Sequence, residues 1–591
     1  MVALTQSRIR RGIFSLLAFF VAFCVAGTAF AQANAQASAA ADATGAEAGQ
    51  GHILLVLPFD NLTDPTVAGA ASQLSKESAS ESPAQANLDW IGEAVPEILN
   101  SRFSSSGFLP LNREDRLYAL DHRGFPQSFQ PSRATALRLA ETLDADSIIF
   151  GTFAAKGSQL TIKARIVDVP KLRLSAEVTE TGEISQLINL LNSLAWKLTR
   201  TLDPKFGVAE ETFRAAGSKL RLDAFEQYIR GLTERDSDER LRHLKRATEL
   251  NPGFIEAWVA TGRQQFETQQ YDQAAISYAK VPRGDPAELE AGFYRGLAQI
   301  FSGNYAHAEE SFAAVARVLP LPEVVNNQGV AISRRGHDAI AQYRQAEAAD
   351  PTDPDYHFNL AVSLNREGKK AEALAELGQC LRLRSTDSEA KALTEAWTAE
   401  EKPQSEQTVT EPLERIKRSY NGAAFRQAAL MLDQVEAARL EALPAPQRAL
   451  NLSHAAHEKL DRGLLLEAER EYQAALDADQ KSAEAHAGLA EVRERAGDAE
   501  IARTEAHAAL DLKPNLEAYL VLARLDLASN HFNEARDEVM EAIHMDAQDR
   551  TARELRRAVD ARIEAEQKAT AAKAEEAGKG EKPAEKTPEK E

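Results

Sequence analysis

Residues 255–286 read IEAWVATGRQQFETQQYDQAAISYAKVPRGDP, and residues 289–320 read LEAGFYRGLAQIFSGNYAHAEESFAAVARVLP. Laid over each other, they place a glycine at the eighth position (Gly262, Gly296) and alanine at the twentieth (Ala274, Ala308). An aromatic residue stands at the twenty-fourth (Tyr278, Phe312) and proline at the last (Pro286, Pro320). Each residue type answers a steric need. Two helices folded against each other need small residues where their backbones cross and a large side chain to fill the space beside the crossing, and proline ends the second helix. One such pair cannot bury its own apolar face, so pairs recurring at a period of about 34 residues predict an all-α solenoid.

The pattern continues on both sides. Ala339, Tyr343, Ala346 and Pro351 keep the second-helix spacing, while Gly329 implies a shortened first turn. Residues 354–385 supply Leu360, Ala361, Gly368 and Ala373, and 449–480 supply Ala456, Gly463, Ala468, Tyr472 and Ala475. Residues 483–514 give Leu489, Ala490, Gly497, Ala502, Ala509 and Pro514, and 516–547 give Leu522, Ala523, Ala535 and Ala542. A half-unit at Ala224, Tyr228, Gly231, Ala247 and Pro252 precedes them as a degenerate first repeat. The stretch TAEEKPQSEQTVTEP over 398–412 interrupts the pattern with charge and two prolines, dividing the array into a first block at 222–397 and a second at 413–561. Residues 413–446, with Tyr420, Phe425 and Ala428, read as helical but poorly matched repeat. Residues 562–591 have almost no large apolar side chains and are expected to be disordered beyond a short helical start.

These units closely resemble the tetratricopeptide repeat. The first helix of each pair should line the concave face, and peptide-groove candidates there are Val259, Arg263, Phe266, Phe293, Leu297, Phe358, Val362 and Asn365. Those positions are more apolar than a solvated groove requires, although Phe293, Leu297 and Ile300 can equally slide into the inter-repeat core. The resemblance implies one further role: Asn359, at the sixth position, matches the asparagine that peptide-binding repeats of this family place on the ligand backbone. The family's Lys–Asn carboxylate clamp is missing, with Asn326 and Val330 where its residues would sit.

Ahead of the array, residues 52–201 read as an α/β domain. Ile53 to Leu57 is a continuous apolar run ended by Pro58, as expected of a strand buried on both faces. A helix capped by Asp89 should reach about Phe103 despite Pro96, and a second should follow Ser132 as ATALRLAETL. Strands are expected over 147–155, 159–169 and 172–179, the first two joined by a Gly157-Ser158 hairpin turn, followed by a helix over 184–202. VLPFDN (56–61), WIGEAV (90–95), NRED (112–115), ATALRLAETLDADSIIFGTF (134–153) and LTIKARIVDV (160–169) resemble, in order, the N-terminal domain of TolB and related CsgG/FlgO-type domains. That resemblance implies a non-enzymatic domain making contacts in the periplasm or at the outer membrane. The TolB propeller has no counterpart.

The first residues carry an address. Arg8, Arg10 and Arg11 precede the apolar run Ile13 to Val25, and Ala29-Phe30-Ala31 supplies a small-x-small cleavage pattern, so residues 1–31 read as a signal peptide cut after Ala31. The run is too short to span a bilayer, and Phe23 before Cys24 is too bulky for a lipidation motif. Residues 32–51 read as a flexible spacer. An exported bacterial chain is therefore expected, periplasmic or outer-membrane-associated, with no transmembrane segment after cleavage and with peripheral membrane association left open.

The chain has 591 residues, 69 Lys plus Arg against 89 Asp plus Glu, and a net charge of −20, which argues against nucleic acid as a partner. With 2 Cys among 12 His it offers neither a thiolate zinc site nor a disulfide framework. No GxxxxGK, GxGxxG, GxSxG or HExxH sequence occurs. Ser277-x-x-Lys280 and Ser388-x-x-Lys391 lack the companion motifs of a serine nucleophile. His454 and His457 read as a solvated helix face, Cys380 as a buried inert thiol, and Asp60, Asn61 and Asp64 as a capped turn. The expectation is a non-enzymatic scaffold without cofactor or metal, binding protein or peptide partners of the cell envelope in its groove. A different class stays open: a sensor whose 52–201 domain binds a small molecule or glycan.

Overall fold

The computed structural model describes residues 52–63, 88–125, 133–399, 412–420 and 435–580. The expected signal peptide, the spacer, Ser132 and Asp64 lie outside them.

The α/β domain is built on β1 (Ile53–Val56), whose alternate side chains enter two separate cores. Leu54 and Val56 pack with helices Trp90–Ser105 and Leu187–Leu202, while Leu55 and Leu57 pack with helices Arg113–His122 and Arg133–Thr142. A strand covered on both faces has no polar side, which is why its sequence is uniformly apolar. β1 lies between β3 (Leu109–Pro110) and β4 (Ser147–Lys156), parallel to both. β4 then turns through Gly157-Ser158 into β5 (Gln159–Asp168), in unbroken antiparallel register from Lys156↔Gln159 to Ser147↔Asp168.

Two details depart from the sequence reading. Asp60 and Asn61 form β2, a short strand parallel to β4, instead of a turn, with the Asn61 amide donating to Asp89 at 2.8 Å. The strand expected over 172–179 is split into β6 (Arg173–Leu174) and β7 (Val178–Glu183), both pairing with β5. Ser175 breaks it: the Ser175 backbone N–H donates to the Ile166 carbonyl, and its hydroxyl accepts from the Ile166 N–H at 2.9 Å. Pro96 is buried inside its helix. Its missing N–H would leave the Gly92 carbonyl unpaired, and the Phe59 N–H fills that place at 3.0 Å.

The array begins where this domain ends. Phe225, Tyr228 and Ile229 of helix Leu222–Thr233 belong to the same core as Trp90 and Leu99, so the first pair is fused to the α/β domain. Helix Ser237–Leu250 completes that pair. Further pairs are Ile255–Glu267 with Tyr271–Tyr278, Glu288–Phe301 with Tyr305–Val318, Pro322–Arg334 with Ile340–Ala349, and Pro354–Arg366 with Lys370–Leu383. Helix Ser388–Thr398 closes the first block. In the third of these four pairs the shortening falls in the second helix, of 10 residues against 14 in Tyr305–Val318, and not in the first turn.

Within several pairs a glycine and an aromatic lock together: a Cβ on Gly296 would meet the Phe312 ring at 2.7 Å, and one on Gly329 would meet Tyr343 at 2.8 Å. Between successive pairs, one on Gly488 would meet Tyr472 at 2.0 Å. Helix packing at that distance is open only to glycine.

The second block contains Ala445–Asp461 with Leu465–Ala478, Ala483–Ala496 with Ala499–Leu512, and Leu516–Ala528 with Phe532–Met545. Two expectations about its ends are corrected. Residues 412–420 are extended, not helical repeat. Helix Arg550–Gly580 runs well past 562: Val559 and Ile563 pack on the last pair, and beyond them the described side chains are exposed. That extension rests on Ala, Glu and Lys propensity and on pairs such as Lys568 with Glu564 at 3.7 Å.

The second block folds back onto the first domain. Glu469 has no exposed surface, yet it is a carboxylate; it accepts from the Ala209 N–H at 3.0 Å and from the Thr212 hydroxyl, and pairs with Arg493 at 2.7 Å. Burial raises its pKa, and those three partners oppose the shift. Arg470 and Gln473 add bonds to the Ser105 and Gly207 carbonyls.

Gly296→Val should cost about 2 kcal/mol by forcing the Phe312 ring aside, read as a lower denaturation midpoint with an unchanged m-value. Glu469→Ala should cost about 3–5 kcal/mol, because it leaves the Arg493 guanidinium buried beside Thr212 without its anion. Chemical denaturation followed by circular dichroism measures both.

Candidate functional site

The concave face of the first block is filled by residues 412–420, which run in extended form across helices Pro354–Arg366, Pro322–Arg334 and Glu288–Phe301. Two asparagines grip its backbone at alternate residues. Asn359 accepts from the Arg415 N–H at 2.7 Å and donates to the Arg415 carbonyl at 2.8 Å. Asn327 does the same for Lys417, at 2.9 and 2.7 Å. Asn326 donates to the Arg415 carbonyl at 3.1 Å and accepts from the Asn359 amide at 2.8 Å. With the segment in place all three asparagines have 0 % exposure, so an amide left unpaired beneath it would carry its full desolvation cost. Alternation follows from the extended backbone: residues two apart present the same edge.

Side chains of the segment set its register. Glu414 is buried, accepts from the Ser333 hydroxyl and from Arg366, and lies 3.7 Å from Arg334. Arg415 takes the opposite rim. It pairs with Asp387 at 2.6 and 2.8 Å, Glu389 at 3.0 Å and Asp355 at 3.1 Å, and its guanidinium lies 3.6 Å from the Phe358 ring centroid. Lys417 reaches Asp353 at 2.5 Å and Asp355 at 2.8 Å. Ile416 packs on the repeat core. The Tyr420 ring meets Phe293 edge-on at 5.0 Å.

The acidic rim is a by-product of helix capping. Asp353 and Asp387 are N-cap residues that accept from the Asp355 and Ala390 N–H groups, and Asp355 and Glu389 sit in the first turns that follow. Two adjacent helix starts therefore concentrate carboxylates on one edge. The Arg415 hydrogen bonds hold Asp387 down at about 2 against the opposing effect of burial, so it stays ionised. Burial would raise Asp355, but Lys417 and Arg384 outweigh it and hold it below the usual carboxylate range.

The sequence-predicted groove residues divide. Phe358, Asn359 and Phe293 meet the segment directly. Phe266 belongs to an aromatic group with Tyr271, Tyr294 and Phe301 beside Tyr420, and Arg418 lies over Phe301 at 5.2 Å. Leu297, Val259 and Val362 are inter-repeat core, and Asn365 is half-buried. Arg263 is engaged elsewhere: it pairs with Glu290 at 2.5 Å and with Glu114 of the α/β domain, tying that domain to the array. Sequence reasoning missed Asn327, Ser333, Arg334, Arg366 and the acidic rim. A signal was there, since Asn326 and Asn359, and likewise Ser333 and Arg366, stand one repeat apart.

Other sequence candidates are structural. Ser277 is buried and donates to Gln265 at 2.7 Å; Ser388 and Lys391 are exposed, as are His454 and His457. Cys380 is buried, and burial pushes its thiol up to about 11. Glu347, His357 and Glu376 lie close enough together to suggest a metal site. His357 argues otherwise. Its Nδ1 faces Glu376 at 2.8 Å and its Nε2 faces the Pro351 carbonyl at 3.2 Å, so both ring nitrogens serve as donors. His486 repeats this arrangement with Glu505 at 2.6 Å and the Gln480 carbonyl at 3.3 Å, which marks it as a device of the repeat.

No family model matches the chain. Protein bimA of Emericella nidulans is 29% identical over 87 residues, 15% of this chain and 11% of that protein's length. Among solved structures, YrrB, described as a TPR protein with an unusual peptide-binding site, is 16% identical with a TM-score of 0.28, covering 29% of this chain and 92% of its own. MamA from Desulfovibrio magneticus RS-1 is 22% identical with a TM-score of 0.27, covering 29% and 99%. A tetratricopeptide repeat protein from Parabacteroides merdae is 12% identical with a TM-score of 0.23, covering 52% and 98%. The tetratricopeptide fold of the array stands on its own helix pairs and their glycine–aromatic locks.

Hydrogen bonding to Glu376 and Glu505 raises the pKa of His357 and His486 above the ordinary histidine value. A raised pKa contributes stability that is complete below about 6.5, the unfolded value, and is lost as pH rises through the folded value. The array should therefore be less stable at about pH 8 than at about pH 6 on this account. His357→Gln with His486→Gln should flatten that difference, as measured by denaturant midpoints at the two pH values.

Proposed function

We propose that this chain is a non-enzymatic protein–protein interaction scaffold of the bacterial cell envelope, which binds extended segments of partner proteins in the groove of its first repeat block. One observation carries the reading: Asn327 and Asn359 hold alternate backbone units of an extended segment through paired donor and acceptor bonds. Such contacts recognise main chain and so suit any peptide, while the charged pockets beside them supply choice. The basic residues, apolar run and small-x-small pattern of the first 31 residues support export, to the periplasm or the outer membrane. The TolB-like order of five motifs supports an N-terminal domain that makes envelope contacts rather than one that performs chemistry. Among the described residues, no helix is long and apolar enough to cross a membrane, which accords with a chain that works beside the membrane. Protein or peptide partners are the expected ligands, with no cofactor.

In-cell crosslinking of a tagged chain from the envelope fraction tests this. The exposed lysines Lys280 and Lys369 of the first block should give recurrent crosslinks to one envelope protein, and mass spectrometry of the tagged chain should find its first residue at Gln32. Asn327→Ala with Asn359→Ala should abolish those crosslinks while helicity stays near wild type. Crosslinks unaffected by the double substitution would sink the groove as the binding site.

A further inference from the structure

The groove is occupied by the chain itself, and the chemistry of that occupant describes what else fits. Residues 412–420 read PLERIKRSY. The acid at 414 enters a pocket formed by Ser333, Arg334 and Arg366. The base at 415 meets Asp387, Asp355 and Glu389, and the base at 417 meets Asp353 and Asp355. Between them Ile416 faces the core, and three residues on from Lys417 an aromatic ring meets Phe293 and Tyr294. Shifting this peptide by one residue would place Arg415 between Arg334 and Arg366 in one direction, or Glu414 against the acidic rim in the other. The groove therefore reads charge order as well as backbone.

The segment is also built to leave. Leu413 is 62% exposed and Arg418 and Ser419 are exposed, which leaves Ile416 and the Tyr420 ring as its apolar contacts with the repeats. Its grip comes mainly from hydrogen bonds and from ion pairs, of which those of Arg415 and Lys417 stand at a partly solvated rim and are screened by salt, while Glu414 is its one buried charge. A permanent strap would be expected to bury apolar anchors. What favours the bound state is covalent attachment, because a tethered ligand works at an effective concentration on the order of millimolar.

We infer that residues 412–420 are an internal ligand of the groove, and that the outside partner is an extended peptide of the same order (acidic, basic, aliphatic, basic, then an aromatic three residues on), which enters by displacing them. This inference rests on the scaffold reading and adds to it a ligand class and a gate.

The test uses the full chain and a fluorescein-labelled peptide PLERIKRSY, followed by anisotropy. Wild-type protein should bind the peptide weakly. Arg415→Glu with Lys417→Glu, which sets two carboxylates against the acidic rim and expels the segment, should bind it at least about ten-fold more tightly. Adding Asn327→Ala and Asn359→Ala to that variant should abolish binding, and a scrambled peptide should not bind. A second measurement needs no variant: hydrogen exchange on the wild-type chain, in which excess peptide should deprotect the Arg415 and Lys417 amides. A charge-reversed chain of native helicity that binds no better than wild type, or amides whose protection excess peptide leaves unchanged, would make the segment a fixed strap. Equal binding of the scrambled peptide would overturn the charge order. In each of those cases the scaffold reading survives, because it stands or falls on the envelope crosslinks.

Discussion

Three asparagine amides lying beneath an extended segment organise the concave face of this protein. A buried amide brings a donor pair and an acceptor that must be satisfied; these three bond partly to one another, and the helix backbones, already paired along the helix, offer them no further group. Asn326, Asn327 and Asn359 are therefore arranged to receive something extended lying across them, with free N–H and C=O groups at a spacing of two residues. Residues 412–420 meet that requirement. The acidic rim and the Arg334–Arg366 pocket then decide which extended segment can do so in register.

Helix capping and ligand recognition share residues here. Asp353 and Asp387 bond both to the N–H groups that open their helices and to the cations of the segment. Two adjacent helices need their starts capped whether or not a ligand exists, so an acidic edge comes with the fold. The same economy holds at His357 and His486, each bonded to one glutamate and one backbone carbonyl, and at His357 a second glutamate, Glu347, adds the look of a metal site.

The repeat array was legible because its constraint is steric and local. Gly296 against Phe312 and Gly262 against Tyr278 leave a mark at fixed spacing that no other fold explains. The α/β domain was legible in outline for a similar reason: a strand buried on both faces has only apolar residues. What escaped was whatever depended on distant partners. The PLERIKRSY segment has the composition of a helix surface, and only the groove it lies in makes it extended. Asp353, Asp355 and Asp387 look like ordinary caps until two helices bring them to one edge. The engagement of Arg263 with Glu114 joins residues far apart in the chain and has no local signature. Conversely, helix Arg550–Gly580 outlasts the apolar pattern because propensity and side-chain pairs alone extend it.

Open solenoids can gain or lose a repeat without harm, since each unit touches only its neighbours. This one has given up some of that freedom. Glu469 of the second block must arrive at Thr212 and the Ala209 amide, residues that lie before the first block begins. A helix pair there that lost this meeting point would strand a carboxylate in the joint. The pair that carries Glu469 is therefore held by a unit remote in sequence as well as by its neighbours, and is the one least free to be exchanged or lost.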